Sequence, residues 1–312
     1  VLCVAKSNCH YFNPYFYMTI HLARHFGMCF GVRDALRKTH AVAAAGPATV
    51  LGQLVHNPLV SAHLATLGVR EARLEDVGRA STREVVITAH GAADAHRRAW
   101  KEAGYEVTDT TCPLVRKAHG ALARLVEAGY FPVVIGKKDH VEVRGLTGDF
   151  PGAVVIETVE DLAALPEGRA LGVVAQTTQR IDGVERMVER IRRHRPGREV
   201  RFVDTVCQPT KDRQLALEEL CRQCEVVVVV GGRNSNNTRE LVARASALGA
   251  IAWHVEGADD LEARWFSGVD HVGVTAGTSS LDETVEEVVG RLRLLAAGAE
   301  PGPRHGLLRM LA

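Results

Sequence analysis

Short runs of valine and isoleucine alternate with longer amphipathic stretches along most of the chain. The apolar runs at 85–88, 133–135, 172–175, 226–230 and 272–275 are uninterrupted and rich in β-branched residues, so they predict strands buried on both faces. Between them the hydrophobic period becomes helical. Val115, Ala118, Leu122, Leu125 and Val126 form one stripe, Pro113 suits a first turn that needs no amide hydrogen, and Gly129 suits the C-terminal cap. Leu217, Leu220, Cys221 and Cys224 fall at i, i+3, i+4 and i+7, and further helices are predicted over 239–248 and 282–295. Strands that alternate with helices predict βαβ units and a mostly parallel sheet, an α/β fold.

A coarse repeat runs through this alternation. Each copy has a cysteine, a helix, a strand ending in a polar loop, and a second such strand. The landmarks are Cys29, His56 and His90; Cys112, His140 and Thr177; then Cys207, Ser235 and Ser279. The first gap is 27, 28 and 28 residues (29 to 56, 112 to 140, 207 to 235), and the second is 34, 37 and 44. Three α/β units follow, 18–110, 111–205 and 206–298, with a tail at 299–312. Open α/β sheets bind ligands beyond the carboxyl ends of their strands. Three such units around a pseudo-threefold axis would bring three cysteines and six polar loops to one cavity.

Composition narrows the function. The formal net charge of +1 argues against a protein built mainly to hold nucleic acid or an anionic membrane. No apolar run approaches the ~20 residues of a membrane span, and the N-terminal stretch lacks the pattern of a signal peptide, so the expected location is the cytoplasm. Residues 1–17 are rich in Tyr, Phe, Asn and Cys without periodicity; the expectation is that Met18 is the natural start and that the preceding stretch is an artefact. The basic run Arg190–Arg201 reads as the solvated end of a helix.

In the cytoplasm the seven cysteines are expected as thiols. Three thiols without an obvious fourth suggest an iron–sulfur cluster with one iron left open; zinc is a second reading and inert core cysteines a third. Cys221 and Cys224 form a CxxC pair, but both fall on an apolar stripe and read as core. The loops Gly231–Thr238 and Thr275–Ser280 each follow a strand and open a helix, the setting in which free amides and Ser, Thr or Asn side chains bind phosphate. His56, His90 and His140 end strands, and in protonated form they can neutralise an anion. Glu142, two residues past His140, can deliver a proton.

The ordered set GMCFGV, LVHNP, AHG, TCPLVRKAH, GKKDHVEVRG, AQTT, Cys207-x-x-Thr210, NSNNTREL and VGVTAGTSS resembles the 4-hydroxy-3-methylbut-2-enyl diphosphate reductase family from about residue 19 to 295. The resemblance implies a trefoil of three α/β units around one 4Fe–4S cluster per chain, held by Cys29, Cys112 and Cys207. It implies reductive loss of a substrate hydroxyl as water, giving isopentenyl and dimethylallyl diphosphate, the last step of the methylerythritol phosphate route. By motif match, His56, His90, His140, Thr177, Ser235, Asn236, Asn237 and Ser279 hold the substrate and Glu142 is the proton donor, with Thr178 and Thr210 in support. A ferredoxin or flavodoxin is implied as electron donor. The sequence departs from the family pattern at Met28, where Phe is commoner, at Val141, where Pro is usual, and at Leu281, where Pro is frequent.

Overall fold

The computed structural model describes residues 18–298; the expectations for 1–17 and for the tail 299–312 lie outside the described residues. The described residues open with a short strand, β1 (Thr19–Leu22), and then repeat one order of elements three times. The first set is α1 (Phe30–Ala45), β2 (Ala48–Leu51), α2 (Pro58–Thr66), β3 (Arg70–Ala72), β4 (Glu84–Ile87), α3 (Asp94–Glu102) and β5 (Glu106–Asp109). The second is α4 (Pro113–Glu127), β6 (Phe131–Ile135), α5 (Val141–Thr147), β7 (Val154–Ile156), β8 (Leu171–Ala175), α6 (Ile181–His194) and β9 (Val200–Phe202). The third is α7 (Gln208–Cys221), β10 (Val226–Val230), α8 (Asn236–Ala247), β11 (Ile251–Val255), β12 (His271–Ala276) and α9 (Asp282–Ala296).

Three four-stranded sheets result, ordered β3-β2-β4-β5, β7-β6-β8-β9 and β11-β10-β12-β1, and every pairing is parallel. The third set lacks a fourth strand of its own. β1 fills that place, with Thr19 opposite His271 and Leu22 opposite Val274. The first unit therefore does not begin at residue 18: β1 belongs to the third sheet. The cause is the apolar edge of β12, against which Met18 and Ile20 pack with Val272 and Val274.

Strand β10 explains how the layers form. Its five valines are fully buried. Val226, Val228 and Val230 face Val285, Val288 and Leu292 of α9, while Val227 and Val229 face Leu217 and Leu220 of α7 and Leu241 of α8. Alternate side chains thus bury into helices on opposite sides, each stabilising by roughly 1.5–3 kcal/mol. Helix α4 follows its predicted stripe, with Pro113 in the first turn and Gly129 at φ +86° just past the end.

The second unit grips the first through Asp149. Its carboxylate accepts from the Asp94 and Ala95 amides at 2.6 and 3.0 Å, capping α3, and lies 3.2 Å from His119 Nε2. Close packing of Gly145 against the Ala92 backbone holds the same joint.

Candidate active site

Each of the three repeated cysteines immediately precedes a helix: Cys29 before α1, Cys112 before α4 and Cys207 before α7. Each sits in extended or near-extended backbone, and none uses its sulfur as a side-chain cap. Their amides are anchored in matching fashion. Cys29 N–H donates to Thr278 O, Cys112 N–H to Ala89 O and Cys207 N–H to Thr177 O, each at 3.0 Å. Every cysteine is thereby fixed to the second polar loop of a repeat, and its thiol lies at the positive end of a helix. Gly31 makes room for this arrangement, since a Cβ there would come closer than 3.0 Å to Cys112 Sγ.

The thiols and the polar loops line one cavity, into which the fold brings Cys29, Cys112, Cys207, His56, His90, His140, Glu142, Thr177, Ser235, Asn236, Asn237 and Ser279. All twelve sequence-predicted site residues meet there. The three histidine rings form a cluster, with centroids 4.2 Å apart for His56–His90, 5.2 Å for His56–His140 and 5.6 Å for His90–His140. Unit three closes on unit one beside them. Ser279 Oγ donates to His56 O at 3.2 Å, and a Cβ on Gly232 would stand 2.6 Å from that carbonyl. Asn237 Oδ1 accepts from Thr278 N–H at 3.0 Å, and Asn236 Nδ2 donates to Thr178 O at 3.2 Å. Ser235 Oγ accepts from Thr238 N–H and caps α8. Three buried polar atoms in this wall have no partner among the described residues: His90 Nδ1, Asn236 Oδ1 and Asn237 Nδ2. Unpartnered buried polar groups are costly, so this wall is built for a polar ligand.

Burial dominates the electrostatics. It depresses His56 to about 4, helped by the charge of Arg239, and His140 to about 3, helped by His56. His90 is pushed well below the ordinary range by burial and by its two histidine neighbours. The sequence reading allows these rings a protonated form that can neutralise an anion; burial shifts all three toward the neutral form, which acts through hydrogen bonds. For His140 the tautomer follows from the bonding. Its Nδ1 accepts from Glu142 N–H at 3.1 Å, which places the ring proton on Nε2. Glu142 moves the other way. It is 2% exposed, and burial lifts its carboxyl from 4.5 to about 7 against the hydrogen bonds of Thr177, whose amide donates to Oε1 at 2.6 Å. Burial also raises the thiols, Cys112 upward and Cys207 to about 11, although backbone amides of Leu114 and Val115 oppose it at Cys112 and Thr210 opposes it at Cys207.

Other residues take their places outside this cavity. Cys224 is core, packed with Leu217, Leu220 and Val227, and it lies in the turn after α7 rather than on the helix. Arg190, Arg192 and Arg193 at the end of α6 are exposed. Asp94, His119 and Asp149 are the one group of ligand atoms within 4.8 Å of one another among the described residues, and helix capping accounts for their approach. Asn57 was not singled out from sequence. It is buried, caps α2 through the Leu59 amide at 2.9 Å, and donates to Ser279 O at 2.7 Å. An Asn-Pro pair at a helix start was the available signal.

The LytB protein family model matches residues 20–293. The chain is 34% identical over 283 residues to the 4-hydroxy-3-methylbut-2-enyl diphosphate reductase of Aquifex aeolicus, covering 89% of this chain and 96% of that protein. It is 37% identical over 279 residues to the reductase of the same name from Geobacter sulfurreducens, covering 88% and 97%. Among solved structures it is similar to the E-1-hydroxy-2-methyl-but-2-enyl-4-diphosphate reductase of Plasmodium falciparum, with a TM-score of 0.83, 26% identity and coverage of 88% and 87%. A second, described as the terminal enzyme of the non-mevalonate pathway, gives a TM-score of 0.63 at 34% identity, covering 88% and 99%.

Proposed function

The chain belongs to the LytB family of 4-hydroxy-3-methylbut-2-enyl diphosphate reductases, and on that premise we propose that it reduces (E)-4-hydroxy-3-methylbut-2-enyl diphosphate to isopentenyl and dimethylallyl diphosphate. One 4Fe–4S cluster per chain would be held by Cys29, Cys112 and Cys207. The donor set fits such a group. Three soft thiols at helix N-termini suit an anionic cluster, and they do not gather within 4.8 Å of one another. Three sulfurs on one zinc, at about 2.3 Å from the metal, would sit roughly 3.8 Å apart. The cluster, when bound, supplies electrons, recharged by a ferredoxin or flavodoxin, and a Lewis-acidic iron.

The observation that carries the reading is Glu142. A buried carboxyl with its pKa near 7, in the same cavity as the three thiols, is poised to give up a proton to a departing hydroxyl. Thr177 N–H occupies Oε1, which leaves the proton on Oε2. His140 orients this carboxylate through the Glu142 amide. The unpartnered atoms of His90, Asn236 and Asn237, with Ser235, Ser279 and the amides opening α8, make a preorganised cradle for the diphosphate. His56, lodged against His90 and His140, completes that wall as a neutral hydrogen bonder. No helix among the described residues is long and apolar enough to cross a membrane.

The test is anaerobic turnover of the hydroxymethylbutenyl diphosphate by reconstituted protein with dithionite-reduced viologen as donor, beside Cys112→Ser. Consumption with both isopentenyl products, lost in the variant together with iron and sulfide, is expected. An intact cluster spectrum with no consumption would overturn the reductase reading.

A further inference from the structure

Arg213 lies on α7, six residues after Cys207, and only 6% of it is exposed. Its guanidinium donates to three carbonyls. Nη1 donates to Pro209 O at 2.8 Å, and Nη2 donates to Gly27 O at 2.5 Å and to Phe26 O at 3.3 Å. Pro209 is two residues past Cys207; Gly27 is two residues before Cys29. One side chain therefore ties together the two chain segments that present these cysteines. Among the described residues no carboxylate lies within 4.0 Å of it, and its buried Nε has no partner. Arg33 makes the contrast. It also donates to this loop, through Nε to Met28 O at 3.2 Å, but it is exposed and is paired with Asp282 at 2.7 Å.

A guanidinium is always charged, and burying it without an acid is unfavourable unless another anion is near. Cys29 and Cys207, when ionised, would attract the Arg213 charge, as Asp212 does, while Arg33 opposes it. We propose that Arg213 is the buried counter-charge of the group held by Cys29 and Cys207, and the positioning residue that fixes the spacing of these two ligands. The proposal rests on the cluster reading given above. A fixed cation beside a cluster favours its more reduced, more negative state, so Arg213 sets the reduction potential upward.

The experiment is a spectroscopically monitored redox titration of the anaerobically reconstituted holoprotein, comparing wild type with Arg213→Met and Arg213→Lys, with iron and sulfide contents measured alongside. Arg213→Met is expected to disfavour one-electron reduction at least tenfold, a shift of about 59 mV to more negative potential. Arg213→Lys is expected to return most of that shift. A Met variant with full cluster content and an unchanged potential overturns the proposal, as does a Lys variant displaced as far as the Met variant. If Arg213→Met fails to retain a cluster, the Lys variant decides: a cluster at near wild-type potential supports the charge role, and loss of the cluster there as well reduces Arg213 to a scaffold. A wild type without any reducible cluster would instead bring down the site reading itself, with this inference.

Discussion

The two walls of the central cavity obey different rules. On the cysteine wall the three repeats are interchangeable: the same residue type, the same place before a helix, and a 3.0 Å hydrogen bond donated by the cysteine amide to the second polar loop of a repeat in all three. On the loop wall the repeats have diverged to His56 and His90, His140 and Thr177, and Ser235 and Ser279. A repeat stays alike where its ligand can be met from three sides at once. It diverges where the ligand has two unlike ends and each loop meets a different one. A cluster fits the first description and a substrate with a hydroxyl and a diphosphate fits the second.

Changes on the loop wall should therefore impair turnover while leaving the cluster in place, and changes on the cysteine wall should remove the cluster and turnover with it. The largest effect is expected for Glu142→Gln, a loss of roughly 10²–10⁴-fold in kcat with an unaltered cluster spectrum. The wild-type kcat should decline as pH rises past about 7, where Glu142 loses its proton, and the variant should lack that limb. The same group bears on stability. Because its folded pKa is raised from 4.5 to about 7, its favourable contribution is complete below 4.5 and is lost as pH climbs through 7. The thermal stability of Glu142→Gln relative to wild type should accordingly improve from pH 5 to pH 8; a constant difference would put the carboxyl in water.

Gly31→Ala should come next. The added methyl collides with Cys112 Sγ, so iron and sulfide content should fall severalfold, whereas Gly290→Ala, with open space around it, should retain a full complement. Equal cluster content in both proteins would break the claim that α1 is cut to fit the Cys112 thiol. The smallest effect is expected for Asn57→Ala, which loses a helix cap and the bond to Ser279 O. About 1–2 kcal/mol of stability should go, read by denaturant unfolding, together with a higher KM at unchanged cluster content. A purely global destabilisation, with KM intact, would detach Asn57 from the loop wall.

Most of the cavity was legible in the sequence because its members sit at strand ends and helix starts, where periodicity breaks and polar residues stand out. The buried strands β4, β6, β8, β10 and β12 were legible for the converse reason, as unbroken apolar runs. The three-residue strands β3, β7 and β9 were not, since half-exposed segments that short carry no period. The depressed basicity of the histidines was not legible because their mutual burial depends on three loops meeting, and no one loop encodes it. Arg213 was invisible for a similar reason. An arginine in a helix reads as a surface residue until Phe26 and Gly27 are brought beside it.

The pairing of β1 with β12 has a consequence for how the protein is made. Thr19 leaves the ribosome 252 residues before its partner His271. At ~5–20 residues per second the early strand waits on the order of ten to fifty seconds for its neighbour. Cys29 waits too, because Thr278, which holds its amide, emerges later still. Two sheets can close during synthesis, but the third is a contact between segments far apart in the message, the slowest kind of pairing to form. If the proposed cluster is bound, its insertion would thus wait for a chain made at least as far as Thr278: a shorter polypeptide can offer two of the three thiols in place, but not the third.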